Sequence, residues 1–95
     1  MTTRLNENNI VDYLQNFNKN RIRPTNHSNE RCRERNFSID DIIDIITKEN
    51  PIYIDQQESK KFALIYEYGN NYIKVVIAIK DKFIDIPTVH KIGKK

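Results

Sequence analysis

Apolar residues at Ile10, Val11, Leu14 and Phe17 recur with the spacing of one helical face, predicting a helix over about residues 6–18 with an Asn-rich outer face. Residues 19–25 carry Arg21, Ile22, Arg23 and Pro24, and a proline disfavours helix at the residue before it, so this stretch reads as a connection. A second helix is expected over 26–35, capped by Thr25, Asn26 or Ser28, with Cys32 as its only apolar residue. A third starts at Ser38 as N-cap. Asp40 and Asp41 stand in its first turn, where carboxylates suit the helix dipole. Ile39, Ile42, Ile43 and Ile46 share its inner face, and Asn50-Pro51 stops it.

Beyond Pro51 the period changes from helical to alternating. Residues 51–55 form a short β-like run, and 56–60 read as a loop. Phe62, Leu64, Tyr66 and Tyr68 alternate with Lys61, Ala63, Ile65 and Glu67, and Gly69-Asn70-Asn71 signals a turn. Ile73, Val75, Ile77 and Ile79 mark a second strand over 72–80. Asp81-Lys82 is a tight connection, and 83–91 is a last strand with Ile84 and Ile86 inward and Pro87 suited to an edge or a bulge. The expected fold is therefore α+β: about three N-terminal helices, then a three- to four-stranded antiparallel β-meander with the helices on one face of the sheet. One domain is expected over 1–95, with 1–25 as N-terminal helix and connection and 92–95 as a flexible tail.

Composition narrows the class. With 38% hydrophobic and 31% charged residues, and the apolar ones in runs, the chain is expected to fold as a globular domain. No apolar run reaches the ~20 residues of a membrane span. The polar start, Met1 to Asn9, is expected not to be a signal peptide, so a cytoplasmic location is expected. Cys32 is the only cysteine, so no internal disulfide can form.

Charge is segregated along the chain. Residues 19–35 hold six basic and two acidic side chains (+4), 36–73 three basic and seven acidic (−4), and 74–95 six lysines and two aspartates (+4). If the fold joins the two basic segments, it focuses positive potential suited to phosphates; if not, the charges merely solvate the surface.

Candidate chemistry follows two histidines. His27, Arg31 and Arg35 are spaced i, i+4, i+8, so a helix would project all three from one face. Arginine forks suit phosphate oxygens, and an imidazole beside two cations and a helix N-terminus is pushed towards its neutral, proton-accepting form. The same face could equally be a solvated one. Thr88 and His90, at i and i+2, share one face of the last strand, or simply end it. No zinc motif and no glycine-rich phosphate loop occurs, so neither a metal nor a cofactor is expected. Tyr66, Tyr68 and Tyr72 could stack on a base or pack in the sheet.

His27-x3-Arg31-x3-Arg35 followed by Asn36-Phe37-Ser38-Ile39-Asp40-Asp41-Ile42 resembles a small bacterial and phage domain family similar to the barnase–EndoU–colicin–RelE (BECR) group of ribonucleases. The resemblance covers about residues 26–91. It implies a metal-independent endoribonuclease of the toxin type, cleaving RNA by 2′-OH attack to leave a 2′,3′-cyclic phosphate. His27 and His90 would be the base/acid pair, in either order, with Arg31 and Arg35 on the phosphate and Thr88 as auxiliary. Arg33, Lys60, Lys61 and Tyr66 would contact the substrate. Partners implied are tRNA or mRNA and an acidic antitoxin or immunity protein; the domain could act as the toxic part of a delivered effector. Two non-catalytic alternatives fit the same residues: a nucleic-acid-binding module, and a protein-interaction domain such as an antitoxin or phage accessory protein.

Overall fold

The computed structural model describes residues 5–26, 30, 32–33 and 38–94. Helix α1 is Ile10–Gln15, and a 3-10 turn, Lys19–Arg21, leads into strand β1, Ile22–Pro24. Helix α2 is Ile39–Lys48. Strands β2 (Tyr53–Glu58), β3 (Lys61–Tyr68), β4 (Asn71–Ile79) and β5 (Ile84–Lys94) follow.

Local chemistry sets the element ends. Ser38 Oγ accepts the Asp41 backbone N–H at 3.4 Å, Asp40 and Asp41 stand in the first turn of α2, and Lys48 stands in the last, matching the dipole at both ends. Helix α1 is shorter than the predicted 6–18 because asparagines compete with it. Asn6 Oδ1 accepts the Asn8 and Asn9 N–H groups, and the Asn16 amide donates to the Asp12 carbonyl. Gly69, at φ +60°, makes the two-residue turn between β3 and β4, a conformation that glycine adopts without a Cβ penalty.

The strands form one five-stranded sheet in the order β1-β5-β4-β3-β2. Neighbours from β2 to β5 are antiparallel, while β1 pairs with β5 in parallel: Ile22 with Ile84, Arg23 with Asp85, Pro24 with Ile86. One face carries Phe62, Leu64, Tyr66, Ile73, Val75, Ile77 and Ile84. It shares a core with Ile10 and Leu14 of α1, Ile42 and Ile46 of α2, Ile22 of β1 and Cys32. The inward positions of β5 run Ile84, Ile86, then Val89, a step of three, because the register shifts between Val76 and Ala78. Pro87, which has no N–H to pair, falls in that bulge.

The expected architecture of about three helices and a three- to four-stranded antiparallel meander is therefore corrected. Helices α1 and α2 are the α-helices whose bounds fall among the described residues, and those residues form a mixed five-stranded sheet. The stretch 19–25 is not only a connection, because Ile22 is buried and β1 is an edge strand. Thr25 N–H donates to the Ile86 carbonyl, so Pro24, one residue back, turns its missing donor away from the sheet. The expected loop at 56–60 begins as strand, with β2 continuing to Glu58, and the expected tail from 92 is strand as far as Lys94. Of the predicted second helix only Asn26, Glu30, Cys32 and Arg33 are described; all four are helical.

Candidate nucleic-acid interface

The parallel β1–β5 pair decides where the charges go. Because β1 and β5 run the same way, β1 begins at the end of the sheet where β5 begins, beside the β4–β5 turn. The β2–β3 turn lies at this same end, since Lys61 pairs with Ala78 and the Ile79 N–H donates to the Lys60 carbonyl at 2.7 Å. One end of the sheet thus collects Arg21 and Arg23 from the first basic segment with Lys60, Lys61, Lys80 and Lys82. Glu58, Asp81 and Asp85 are the acidic residues of the same turns and strand ends.

A shallow cleft of about 550 Å³ opens there, lined by Glu58, Lys60, Lys61, Ala78, Ile79, Lys80, Asp81 and Pro87. Its apolar lining is Ala78, Ile79 and Pro87, from the end of β4 and the β5 bulge, and its charged lining is Lys60, Lys61 and Lys80 with Glu58 and Asp81. Beside it, Arg23 reaches Asp85 at 3.2 Å and lies 4.1 Å from the centroid of the Phe83 ring. Phe83 and Lys80 close the β4–β5 turn together, with the Lys80 N–H donating to the Phe83 carbonyl at 2.8 Å.

Lys60 and Lys61, neighbours in the sequence, both line the cleft. Thr88 and His90 lie on the sheet face away from the helices, opposite Val76 and Lys74. Thr88 adjoins the cleft through Pro87, but His90 is level with Lys74, four residues along β4 from Ala78 and therefore about 13 Å away. Arg33 is exposed. His27, Arg31 and Arg35 lie outside the described residues.

Tyr66 cannot offer its ring to a base. It is 1% exposed in the core, its hydroxyl has no hydrogen-bond partner among the described residues, and burial, with the nearby Glu49 charge second, raises its pKa. Burial likewise pushes the Cys32 thiol up, opposite to what neighbouring arginines would do, and keeps it protonated. Among the described residues no three His, Cys, Asp or Glu side chains group as metal ligands, and no helix is long and apolar enough to cross a membrane.

Sequence reasoning counted Arg21, Arg23, Lys80 and Lys82 only within the two basic segments, without singling them out as site residues, and took Phe83 only as the start of the last strand. The alternation basic–apolar–basic in Arg21-Ile22-Arg23 is a strand signal, but three residues are too few to separate it from a loop.

Residues 8–78 match the family model described as the MJ0788 family. The chain belongs to the MJ0788 family. The MJ0788 match spans both helices and β1 to β3, includes Lys60 and Lys61, and ends within β4 at Ala78. No curated protein matches the chain, and no solved structure does.

Proposed function

We propose that this MJ0788-family chain binds nucleic acid, seating backbone phosphates at the basic end of its sheet. The observation that carries the proposal is the parallel pairing of β1 with β5, which sets Arg21 and Arg23 of the first basic segment beside Lys80 and Lys82 of the last. Lys60 and Lys61 add a second row on the adjoining turn. Cations on several elements around one cleft superpose their fields, and phosphate binding by such a site releases counterions.

The test is fluorescence anisotropy with labelled RNA and DNA in EDTA at rising salt. Affinity is expected to fall linearly in log–log form. The pair Lys60→Gln and Lys80→Gln is expected to flatten the slope by about 0.7–0.9 for each phosphate left without its cation. Absence of binding at low salt, or a slope untouched by the pair, would refute it.

Metal-independent endoribonuclease activity, as in a toxin, is the second reading, and one observation favours it. Thr25 is fastened to β5, its hydroxyl donating to the Ile86 carbonyl at 3.3 Å. The segment that begins at Asn26 and contains His27 therefore starts close along the chain to a residue anchored two positions from Thr88. Gel analysis of total RNA with wild type, His27→Ala and His90→Ala tests it: cleavage abolished in both variants supports catalysis, and no cleavage leaves binding alone. An acidic antitoxin or immunity protein would compete for the same lysines.

A further inference from the structure

Phe83 has a position that the turn itself does not require. Tight turns favour Gly, Asn, Asp and Ser, and the residues following it, Ile84 and Ile86, are fully buried, yet Phe83 closes the β4–β5 turn with 37% of its surface exposed. Its ring is also furnished for stacking. The Arg23 guanidinium lies 4.1 Å from the ring centroid, and Asp85, its register partner on β5, holds it there at 3.2 Å. The Arg23 side chain nevertheless remains 53% exposed. An aromatic ring and a guanidinium plane, each partly open to solvent, thus stand beside a cleft lined by Lys60, Lys61 and Lys80 with Glu58 and Asp81.

We propose that this end of the sheet selects single-stranded nucleic acid, with an unpaired base stacked on the Phe83–Arg23 pair and flanking phosphates on Lys80, Lys82 and Lys60; this rests on the nucleic-acid reading above. The physical reason is access. In a duplex each base has both faces covered by its neighbours, so an exposed ring gains nothing from it. An unpaired base offers a π-face whatever its identity, and stacking combined with backbone cations binds single strands with little sequence preference. The pairing of Arg23 with Asp85 fixes the guanidinium before binding, so little side-chain freedom is lost when a base arrives. Ring and cleft flank the same four-residue turn, so a short stretch of backbone reaches both.

The experiment measures anisotropy of 12-nucleotide labelled oligomers of one mixed sequence, as single-stranded RNA, single-stranded DNA and duplex DNA, at two salt concentrations in EDTA. Wild type is expected to bind both single strands about tenfold or more tighter than the duplex. Phe83→Leu, which keeps apolar volume at a part-exposed position, is expected to lose about fivefold or more on single strands, leaving duplex affinity and salt slope unchanged. Phe83→Trp is expected to retain or tighten single-strand binding. Equal affinity for single strand and duplex, or a Phe83→Leu protein that binds single strands as wild type does, overturns strand selection while leaving phosphate binding in place. Absence of salt-dependent binding to all three oligomers overturns both.

Discussion

At the scale of single residues, Tyr66 and Gly69 show how a local rule sets a measurable cost. The Tyr66 hydroxyl is buried without a partner among the described residues, and a polar group deprived of water and of a hydrogen bond destabilises the folded state. Tyr66→Phe is therefore expected to raise stability by about 1 kcal/mol, read as a higher urea midpoint with unchanged slope. The same phenol, with Tyr68, governs the alkaline limit. Burial raises both pKa values, helped by Glu49 for Tyr66 and by Asp41 for Tyr68, so the folded chain holds these protons more tightly than the unfolded one. Their contribution is complete below the unfolded phenol pKa of about 10 and is lost as pH rises through the folded values. Thermal midpoints are expected to fall above about pH 10, less steeply in Tyr66→Phe. At Gly69 a Cβ would meet nothing within 4 Å, so Gly69→Ala is expected to cost only the left-handed backbone penalty of about 1 kcal/mol, again by urea unfolding.

At the scale of elements, what can be read from the sequence follows how much of each element's cause is local. Helix α2 is legible because its cap, its first-turn acids, its isoleucine face and its stop at Pro51 all lie within its own stretch. Strands β3 and β4 are legible from alternation and the Gly69 turn. Strand β1 is not, because three residues carry no period and its reason for being extended is Ile84–Ile86, some sixty residues away. Part of the same failure hides the candidate site: Arg23 looks like a loop charge until register places it against Asp85 and over Phe83. The expectation that Tyr66 contacts substrate fails although its own alternation with Leu64 and Tyr68 already puts it inside. Ile42 and Ile46 pin α2 to the sheet with no exposed surface, so either Ile→Ala change is expected to cost about 2–5 kcal/mol in denaturant unfolding. Ile22→Asp is expected to detach β1. Loss of amide-exchange protection at Arg23 and Thr25, with protection in β3 and β4 retained, would identify that local opening.

At the scale of the whole molecule, a net charge of +3 understates the field, because the fold gathers cations that the sequence separates by some sixty residues. The positive end meets solvent on turns, while the acidic middle segment supplies Asp40, Asp41 and Asp44 to helix α2. Lys19 and Lys48 both approach Asp44, at 3.8 and 3.9 Å, so two cations are drawn to the helix side. These are exposed pairs and contribute little to stability.

The placement of β5 between β1 and β4 has a consequence for the order in which the fold assembles. Strand β5 is the one that both its neighbours need, so β2 to β4 can pair among themselves before it docks, but Ile22 has no strand to seat against until it does. The basic end of the sheet therefore takes shape only when β1 and β5, about sixty residues apart, come together, a pairing of long sequence separation that is intrinsically slow to form.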